Sequence, residues 1–374
     1  MVNQMIDINP YAEVSLAKYK HNMEEVKKML SDNTKIMAIV KANAYGHGAI
    51  EISRAANEVG INHFGVATLE EGIELRENGI TGEILILGHI SPSDINKVIN
   101  YDLSITISSI DFYRKLIIKE SLKVHVKIDT GLSRNGIYMQ HSDDIDYVIE
   151  ALKTLSEDED IVIMGLFTHF ASADSNEDFT RNQLSLFNEL INKVKLHDLK
   201  CGLIHAANSA ATLLFPDAHF DMVRIGLLGY GIQNTRNIST IKPIMSLKAC
   251  LVQIKDIRKG DTVGYGNTYI AESNMTIGVV NIGYADGLSR ALSNNIEFTL
   301  KEKKVKCIGR ISMDVFAIDL FSCNAELYDR VSIFGDPSDG EQLITKLSSK
   351  LNTIEYEIFC LVGRRIQRNY ICIK

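Results

Sequence analysis

The chain has 374 residues, of which 45% are hydrophobic and 23% are charged, and its formal net charge is -7 at pH 7. These values are typical of a globular protein that is long enough for two domains, or for one barrel with an appended domain. The negative charge argues against a general nucleic-acid or membrane-surface binder. No apolar run approaches the roughly 20 residues that span a bilayer, and the first ten residues lack the pattern of a secretory signal.

The six cysteines are scattered along the chain and form no CxxC pair. Such spacing predicts free thiols in a reducing cytosol and predicts neither a disulfide framework nor a metal site. We therefore expect a cytoplasmic protein with no bound metal, no nucleic-acid partner and no membrane segment in this chain.

Short apolar runs alternate with amphipathic stretches from Lys35 to about Gly226. Amphipathic stretches at 49–59, 69–78 and 179–197 lie between the runs, and another at 14–30 precedes them. This alternation predicts an α/β fold with parallel strands and outer helices, and eight units over roughly 200 residues predict a closed (β/α)8 TIM-type barrel. We predict its strands at 36–41, 63–68, 83–88, 103–108, 123–129, 162–169, 202–207 and 221–226.

The pattern changes near Ser239, after which alternating apolar runs dominate and helical stretches become rare. This change predicts a second, mostly β domain with one helix near 340–351. With a boundary in the region 232–242, the barrel covers residues 1–238 and the β domain covers residues 239–374. We predict its main strands at 247–254, 275–282, 297–300, 305–311, 315–320 and 330–334.

Lys41 ends the first predicted strand, directly after the apolar run Ile36–Val40. A lysine at the carboxyl end of a buried strand has a packed stem and an amine at the mouth of a site. Partial desolvation and nearby cations depress the pKa of such an amine, as a Schiff-base lysine requires. The alternative is a lysine that extends its amine to solvent at a strand end.

Further polar residues fall at or just after the ends of predicted strands. Because the chemistry of a (β/α)8 barrel lies at the C-terminal ends of its strands, these positions indicate one site. Structural alternatives remain for each of them: a satisfied core histidine, a plain helix N-cap or a solvated loop arginine. The residues are Lys127, Arg134, His169, Asn208, Ser209 and Arg224.

The segment Val40–Gly48, with the sequence VKANAYGHG, resembles the pyridoxal-phosphate signature of the alanine racemase family almost letter for letter. Further similar segments follow in family order out to Tyr356, so the resemblance covers nearly the whole chain. It implies an amino-acid racemase whose barrel binds pyridoxal 5'-phosphate (PLP). It also implies a homodimer in which the active sites are shared between the subunits.

The same resemblance implies which residues hold the cofactor. Lys41 is the covalent attachment point, Arg224 faces the pyridine nitrogen, and His169 lies beside Arg224 in a hydrogen-bond relay. The implied phosphate cradle consists of Ser209, supported by Asn208, with the backbone of Gly226 and Leu227 and the hydroxyls of Tyr45 and Tyr356.

Arg224 also bears on the type of reaction. A buried arginine without a carboxylate partner is costly, but it is tolerable when it donates to an acceptor such as a pyridine nitrogen. Because an arginine does not give up its proton, the ring stays unprotonated and is a weaker electron sink. This suits a racemase, which must return a proton quickly, and it disfavours a decarboxylase.

The substrate contacts follow from the resemblance as well. Arg134 is a fork suited to the substrate carboxylate, and Lys127, often carbamylated in the family, positions that arginine. Tyr265 stands between two glycines, which on its own indicates only a strand with aromatic packing. The resemblance makes it the second catalytic base, contributed by the partner subunit, with Met313 and Asp314 lining the site.

These implications together predict PLP-dependent interconversion of L- and D-alanine by two bases, which supplies D-alanine for peptidoglycan. Three alternatives remain. A serine racemase, the catalytic half of a resistance-type membrane protein, tends to replace the tyrosine at the position of Tyr356 by a smaller polar residue, whereas the tyrosine is present here. A PLP-dependent amino-acid decarboxylase is disfavoured by Arg224. A one-barrel PLP-carrier protein lacks the second domain.

Overall fold

A computed structural model describes residues 7–233, 238, 240–321 and 323–372. Strand β1 (Tyr11–Ser15) runs directly into the helix Leu16–Lys27. The predicted amphipathic stretch at 14–30 is therefore helical for most of its length, but its first two residues belong to β1. Val14 is fully buried within a sheet, so strand pairing decides its conformation rather than helical periodicity.

All eight predicted barrel strands are present, with boundaries within two residues of the prediction. They are largely buried, as expected of parallel strands that are covered on both faces. In chain order, and with one short additional strand, they are β2 (Lys35–Ile39), β3 (His63–Val66), β4 (Glu83–Ile86), β5 (Ser104–Ile107), β6 (Leu122–Asp129), the additional β7 (Ile137–Tyr138), β8 (Ile161–Phe167), β9 (Leu203–His205) and β10 (Met222–Ile225).

The eight strands close into a ring. Each pairs in parallel with the next, and β10 pairs with β2 to complete the barrel, while β7 lies beside β6 outside the ring. The predicted TIM-type barrel is confirmed. The α-helices of this region that follow β2 are Ala49–Glu58, Leu69–Glu77, Ile95–Asn100, Ile110–Tyr113, Ile145–Ser156, Glu177–Leu196 and Ser209–Leu214.

The C-terminal region is mostly β, as predicted, and each predicted strand is present. The structure adds strand β19 and a second helix, which the sequence pattern did not indicate. The helices are Thr345–Leu351 and Glu355–Leu361. The strands are β11 (Met245–Ile257), β12 (Thr262–Val263), β13 (Tyr269–Ile270), β14 (Met275–Val280), β15 (Glu297–Leu300), β16 (Lys303–Ile308), β17 (Phe316–Asp319), β18 (Arg330–Phe334) and β19 (Gln367–Ile371).

Six of these strands form a second closed ring. The long strand β11 pairs with β18 from Leu247 to Cys250 and with β14 from Leu251 to Ile257. The antiparallel pairs β14–β17, β17–β16, β16–β15 and β15–β18 complete the circuit. Strand β1 then joins β11, and β19 joins β1, so the two ends of the chain extend this sheet.

The described chain divides into two compact units. One comprises Lys20–Ala44 and Ala49–Ile241, and the other comprises Lys242 onward together with β1 and the short segment Tyr45–Gly48. The predicted ranges of 1–238 and 239–374 differ from this division at the N-terminus because β1 pairs with strands of the second unit. The predicted boundary stays a prediction, since Ser239 lies outside the described residues.

No helix within the described ranges is both long and apolar enough to cross a membrane. The six cysteines are free thiols, of which Cys201, Cys250 and Cys307 are buried.

The place of β1 in the second unit can be tested with a nearly isosteric substitution. We expect Val14→Thr to lower the free energy of unfolding by about 1–3 kcal/mol, because it places a hydroxyl in an apolar core. The matched control is Val162→Thr on the barrel strand β8, where the side chain is 41% exposed, and it should cost less than about 0.5 kcal/mol. Chemical denaturation of both variants provides the measurement. Equal stability of the two would show that β1 is not part of that core.

Candidate active site

The turn that carries Lys41 has an unusual backbone. After β2 ends, the four residues from Ala42 to Tyr45 have φ between 51° and 53°, which is one turn of left-handed helix. No glycine is among them, and each such residue costs roughly 1–2 kcal/mol relative to the right-handed form. Strain of this kind persists only where surrounding contacts impose it, and it is common at functional sites.

Glu71 provides much of that constraint. One carboxylate oxygen accepts from the backbone N–H of Ala42 at 2.7 Å, and the other accepts from Ala67 at 2.7 Å. Glu71 also completes a capping box with Thr68 at the start of the helix Leu69–Glu77. Within the turn, the N–H of Ala44 donates to the carbonyl of Val40 at 2.7 Å. The turn at residues 42–45, here called the lysine turn, is thus hydrogen-bonded to the connection between β3 and the helix Leu69–Glu77.

Arg224 is buried in the barrel and is held only by neutral acceptors. Its Nη1 donates to Nδ1 of His205 at 2.9 Å, and its Nη2 lies 3.0 Å from Nδ1 of His169. Nη2 also lies 2.8 Å from the carbonyl oxygens of Thr168 and Ala206. Its third nitrogen, Nε, donates to none of the described residues. Burial and the charge of Arg134 lower the pKa of Arg224 to about 9, so it remains a cation at neutral pH.

These contacts determine the protonation of both histidines. A guanidinium can only donate, so Nδ1 of His205, the acceptor of Nη1, must be unprotonated. Nη2 shares its two hydrogens among two carbonyl oxygens and Nδ1 of His169, so Nδ1 of His169 must also face it as an unprotonated nitrogen. Both rings are then neutral, with their proton on Nε2. Burial and the charge of Arg224 hold the pKa of each histidine well below its usual range.

Lys127 is buried within β6 and donates to the side-chain oxygen of Asn135. Its ammonium lies 5.8 Å from the ring centroid of Phe167. Burial lowers the pKa of Lys127 to about 7, and the charges of Arg134, Arg224 and Lys41 act in the same direction. At neutral pH, therefore, a large fraction of this amine is unprotonated.

Asp129 shapes the loop that follows β6. One of its carboxylate oxygens accepts from the N–H groups of Gly131 and Ser133, and the other accepts from the N–H of Arg134, each at 3.0 Å. The backbone of Arg134 is therefore fixed while its side chain is exposed. Its guanidinium makes no hydrogen bond or ion pair with a described residue, so it is available to a carboxylate ligand.

Four basic side chains, including the partly neutral Lys127, lie near His169 at the carboxyl ends of the barrel strands. Besides burial, the pKa of His169 is lowered by the charges of Arg224, Arg134, Lys127 and Lys41 together. Because charge interactions in a protein weaken with distance, Arg224, Arg134, Lys127 and Lys41 all lie in the neighbourhood of His169. Such a site attracts anions, although the chain as a whole is negative.

A second polar corner lies where β10 ends. The hydroxyl oxygen of Ser209 accepts from the N–H of Gly226 at 3.0 Å and from the N–H of Leu228 at 3.3 Å. Asn208 caps the helix Ser209–Leu214 by accepting from Ala211. The N–H of Leu227 makes no hydrogen bond with a described residue, which leaves a backbone donor beside the hydroxyl of Ser209.

The remaining predicted residues belong to the second unit. The rings of Tyr45 and Tyr356 pack with centroids 5.3 Å apart. Tyr265 lies in a short 3-10 turn between two glycines with positive φ, rather than in a strand, and its side chain is 69% exposed. Met313 is 52% exposed. The carboxylate of Asp314 is bound by Arg365 at 3.0 Å, and Arg365 also contacts Asp286.

Several residues of these clusters were missed by the sequence analysis. Glu71 and Asp129 act through backbone N–H groups, and neither leaves a mark in a hydrophobic pattern. His205 becomes a partner of Arg224, and Asn135 becomes a partner of Lys127, only when the barrel folds. Tyr284 is an exposed tyrosine whose N–H donates to Ser312 at 3.1 Å, next to Met313. The position of His205 at the end of a predicted strand was the one signal that could have identified it.

Both halves of the chain match models of one family. Residues 14–234 match the alanine racemase N-terminal domain, and residues 244–370 match the alanine racemase C-terminal domain. Alanine racemase 1 of Oceanobacillus iheyensis is 35% identical over 373 residues, which cover 96% of this chain and 98% of that protein.

Solved structures agree with these matches. The alanine racemase of Clostridium difficile 630 has a TM-score of 0.89 and 33% identity, over 98% of this chain and 96% of that chain. The alanine racemase of Bacillus anthracis, solved with bound L-Ala-P, has a TM-score of 0.88 and 32% identity, over 98% of this chain and 95% of that chain.

The anchoring of the lysine turn by Glu71 yields a prediction. Glu71→Ala removes the acceptor of three backbone N–H groups, so we expect it to lower the free energy of unfolding by about 1–3 kcal/mol. Amide hydrogen exchange at Ala42 should accelerate as the turn opens locally. The control is Glu70→Ala, an exposed neighbour without such a role, which should change stability by less than about 0.5 kcal/mol. Unchanged protection of Ala42 in Glu71→Ala would show that other contacts hold the turn.

Proposed function

Because the chain belongs to the alanine racemase family, we propose that it is a PLP-dependent alanine racemase that interconverts L- and D-alanine. The product D-alanine serves the synthesis of peptidoglycan. The observation that carries this proposal is Arg224, a buried cation with neutral partners and one unused donor at the centre of the strand ends.

The residues present fit PLP. Lys41 would hold the cofactor covalently, and Nε of Arg224 would donate to its pyridine nitrogen. The hydroxyl of Ser209 and the N–H of Leu227 would receive the phosphate, with the hydroxyls of Tyr45 and Tyr356, and the N–H of Gly226 would hold the Ser209 oxygen in place. When bound, PLP supplies an electron-withdrawing ring that makes the Cα proton of an attached amino acid acidic.

Arg224 then selects the reaction type. It would donate a hydrogen bond without transferring its proton, so the electron demand of a bound ring would stay moderate. A carboxylate at this position would instead stabilise a protonated ring nitrogen and so increase the electron demand of the ring. His169 would support Arg224 as a neutral acceptor with its own proton on Nε2.

Substrate recognition falls to Arg134. Its backbone is fixed by Asp129, and its unpaired guanidinium would bind the carboxylate of alanine in a bidentate manner. The anionic carbamate of Lys127 would hold that guanidinium in place. Met313 and Asp314, from the partner subunit, would line the remaining side, and Arg365 fixes the carboxylate of Asp314.

Two bases on opposite faces of the substrate would move the proton. Tyr265 of the partner subunit would exchange the Cα proton of L-alanine, and Lys41 would exchange that of D-alanine. The side chains of Tyr265, Tyr284 and Met313 are exposed and would become buried in a homodimer that shares its active sites.

The alternatives have less support. The relatives and structures described above are alanine racemases, and none of these carries the name of a decarboxylase or a serine racemase. Tyr356 keeps its full side chain packed against Tyr45, which leaves less room for the hydroxymethyl group of serine. The second domain separates the chain from one-barrel PLP carriers.

A chiral assay tests the proposed activity directly. The wild-type protein with PLP should racemise alanine much faster than serine and should release no CO2. Lys41→Ala should lose nearly all racemisation together with covalent PLP, because it lacks the attaching amine. Borohydride reduction followed by mass spectrometry locates the attachment. A PLP adduct that persists in Lys41→Ala, or serine as the faster substrate, would contradict this assignment.

The two-base assignment predicts asymmetry between enantiomers. Tyr265→Ala should slow exchange of the Cα proton of L-alanine by about 10²–10⁴-fold, because a positioned base is lost, while D-alanine is affected far less. Isotope exchange in deuterated water measures both rates.

Subunit mixing checks the shared site. Combining inactive Tyr265→Ala with inactive Lys41→Ala should restore activity, since one site of each heterodimer regains both bases. If subunit exchange is verified and no activity returns, Tyr265 does not act across the dimer.

Lys127 is predicted to be carbamylated. Its unprotonated amine adds to CO2 and releases one proton, and the charges of Arg134 and Arg224 stabilise the resulting anion. Because the pKa of Lys127 is lowered to about 7, carbamate should accumulate above pH 7 and disappear as the pH falls below it. Labelled bicarbonate should give one carbamate signal in ¹³C NMR, absent in Lys127→Met. No signal at pH 8.5 in the wild-type protein would rule the modification out.

A further inference from the structure

The hydrogen bonds of Arg224 continue into the barrel beyond any residue that would contact substrate or cofactor. His205 accepts from Arg224 at Nδ1, and its Nε2 lies 3.0 Å from Nδ1 of His125. His205 closes strand β9 and His125 lies within β6, so the chain crosses the interior of the barrel. Both histidines are buried, His125 to 1% exposure.

The hydrogen bonds from Arg224 through His205 to His125 can be oriented in one direction only. Because Arg224 must donate, His205 keeps its proton on Nε2 and must donate it to Nδ1 of His125. His125 is then also a neutral ring with its proton on Nε2. That last N–H is buried and meets no acceptor among the described residues. An arginine at the strand ends thus dictates the tautomer of a residue two hydrogen bonds away.

Packing holds both rings in the required orientation. Phe167 stacks on His205 with centroids 4.7 Å apart and an interplanar angle of 8°, and the His125 ring meets His205 edge-on at 5.2 Å. Gly165 on β8 leaves the room that His125 occupies, since a Cβ there would overlap the imidazole. The low pKa values of both histidines, caused mainly by burial, agree with neutral rings.

We propose that His205 and His125 are positioning residues that orient Arg224 through this one-way chain of hydrogen bonds. The catalytic part of this inference rests on the proposed racemase function. By accepting a hydrogen bond from Nε2–H of His205, His125 polarises the His205 ring, which strengthens Nδ1 of His205 as the acceptor for Arg224. Because His205 and His169 are neutral acceptors, they do not compensate the positive charge of the Arg224 guanidinium. That charge therefore acts on whatever accepts a hydrogen bond from Nε. A carboxylate in place of His205 would neutralise that charge.

The first test needs no substitution. In the PLP-loaded wild-type protein with ¹⁵N-labelled histidine, the signals of His205 and His125 should both report an unprotonated Nδ1 and a protonated Nε2 at pH 7.5. A proton on Nδ1 of either ring would overturn the proposed direction of the chain.

A matched pair of variants tests the effect on the reaction. His125→Leu keeps similar volume but removes the acceptor, whereas the side-chain oxygen of His125→Asn can occupy the position of Nδ1. We expect His125→Leu to lower kcat for alanine roughly ten-fold with little change in KM, since one hydrogen bond to a buried donor is lost. The Nδ1 signal of His205 should shift in the same variant, and His125→Asn should restore both readouts most of the way.

The outcomes separate the two proposals. If His125→Leu, folded and loaded with PLP, keeps the wild-type kcat and the wild-type signal of His205, the positioning role is wrong. Equal losses in His125→Leu and His125→Asn would likewise contradict it, because the acceptor would then be irrelevant. If the wild-type protein racemises no amino acid, the proposed function fails, while the tautomers of the two rings still decide the hydrogen-bond chain.

Discussion

One constraint organises the barrel end of this protein: a buried guanidinium that has no carboxylate partner. Arg224 can only donate, so every residue around it must accept, and each acceptor is neutral. This requirement sets the tautomers of His169 and His205 and passes through His205 to His125. Burying an arginine in this way is costly unless its donors are satisfied. The cost indicates that the charge is kept for a ligand rather than for stability.

The charges around Arg224 also favour the binding of an anion. Lys41, Lys127, Arg134 and Arg224 lie close enough to lower the pKa of His169 together. The carboxylate of Asp129, which follows Lys127 in the chain, is engaged by backbone N–H groups of its own loop. The guanidinium groups of Arg134 and Arg224 therefore keep their charge available for an anion, which suits a phosphorylated cofactor and a substrate carboxylate. Because the whole chain has a net charge of -7, the attraction of anions is confined to this end of the barrel.

Backbone strain is the second physical feature of the site. Four consecutive left-handed residues follow Lys41, and the contacts of Glu71 and Ala44 hold them in place. A relaxed right-handed turn would direct the chain differently after β2. The strained turn thus sets the path from Lys41 to Tyr45, the residue that packs against Tyr356. The signature residues that follow Lys41 therefore specify a backbone conformation as well as a set of side chains.

The sequence by itself determined the two-domain α/β plan, the eight barrel strands and the family, because buried strands and signature motifs are written in local residue order. It did not reveal that β1 and β19 complete the second sheet, since their pairing joins opposite ends of the chain. Nor did it indicate Glu71, Asp129 or His125, whose partners are backbone groups or side chains distant in sequence. Which atoms donate and accept around Arg224 was decided only by tertiary structure, because burial removes water as an alternative partner and leaves one consistent pattern of hydrogen bonds.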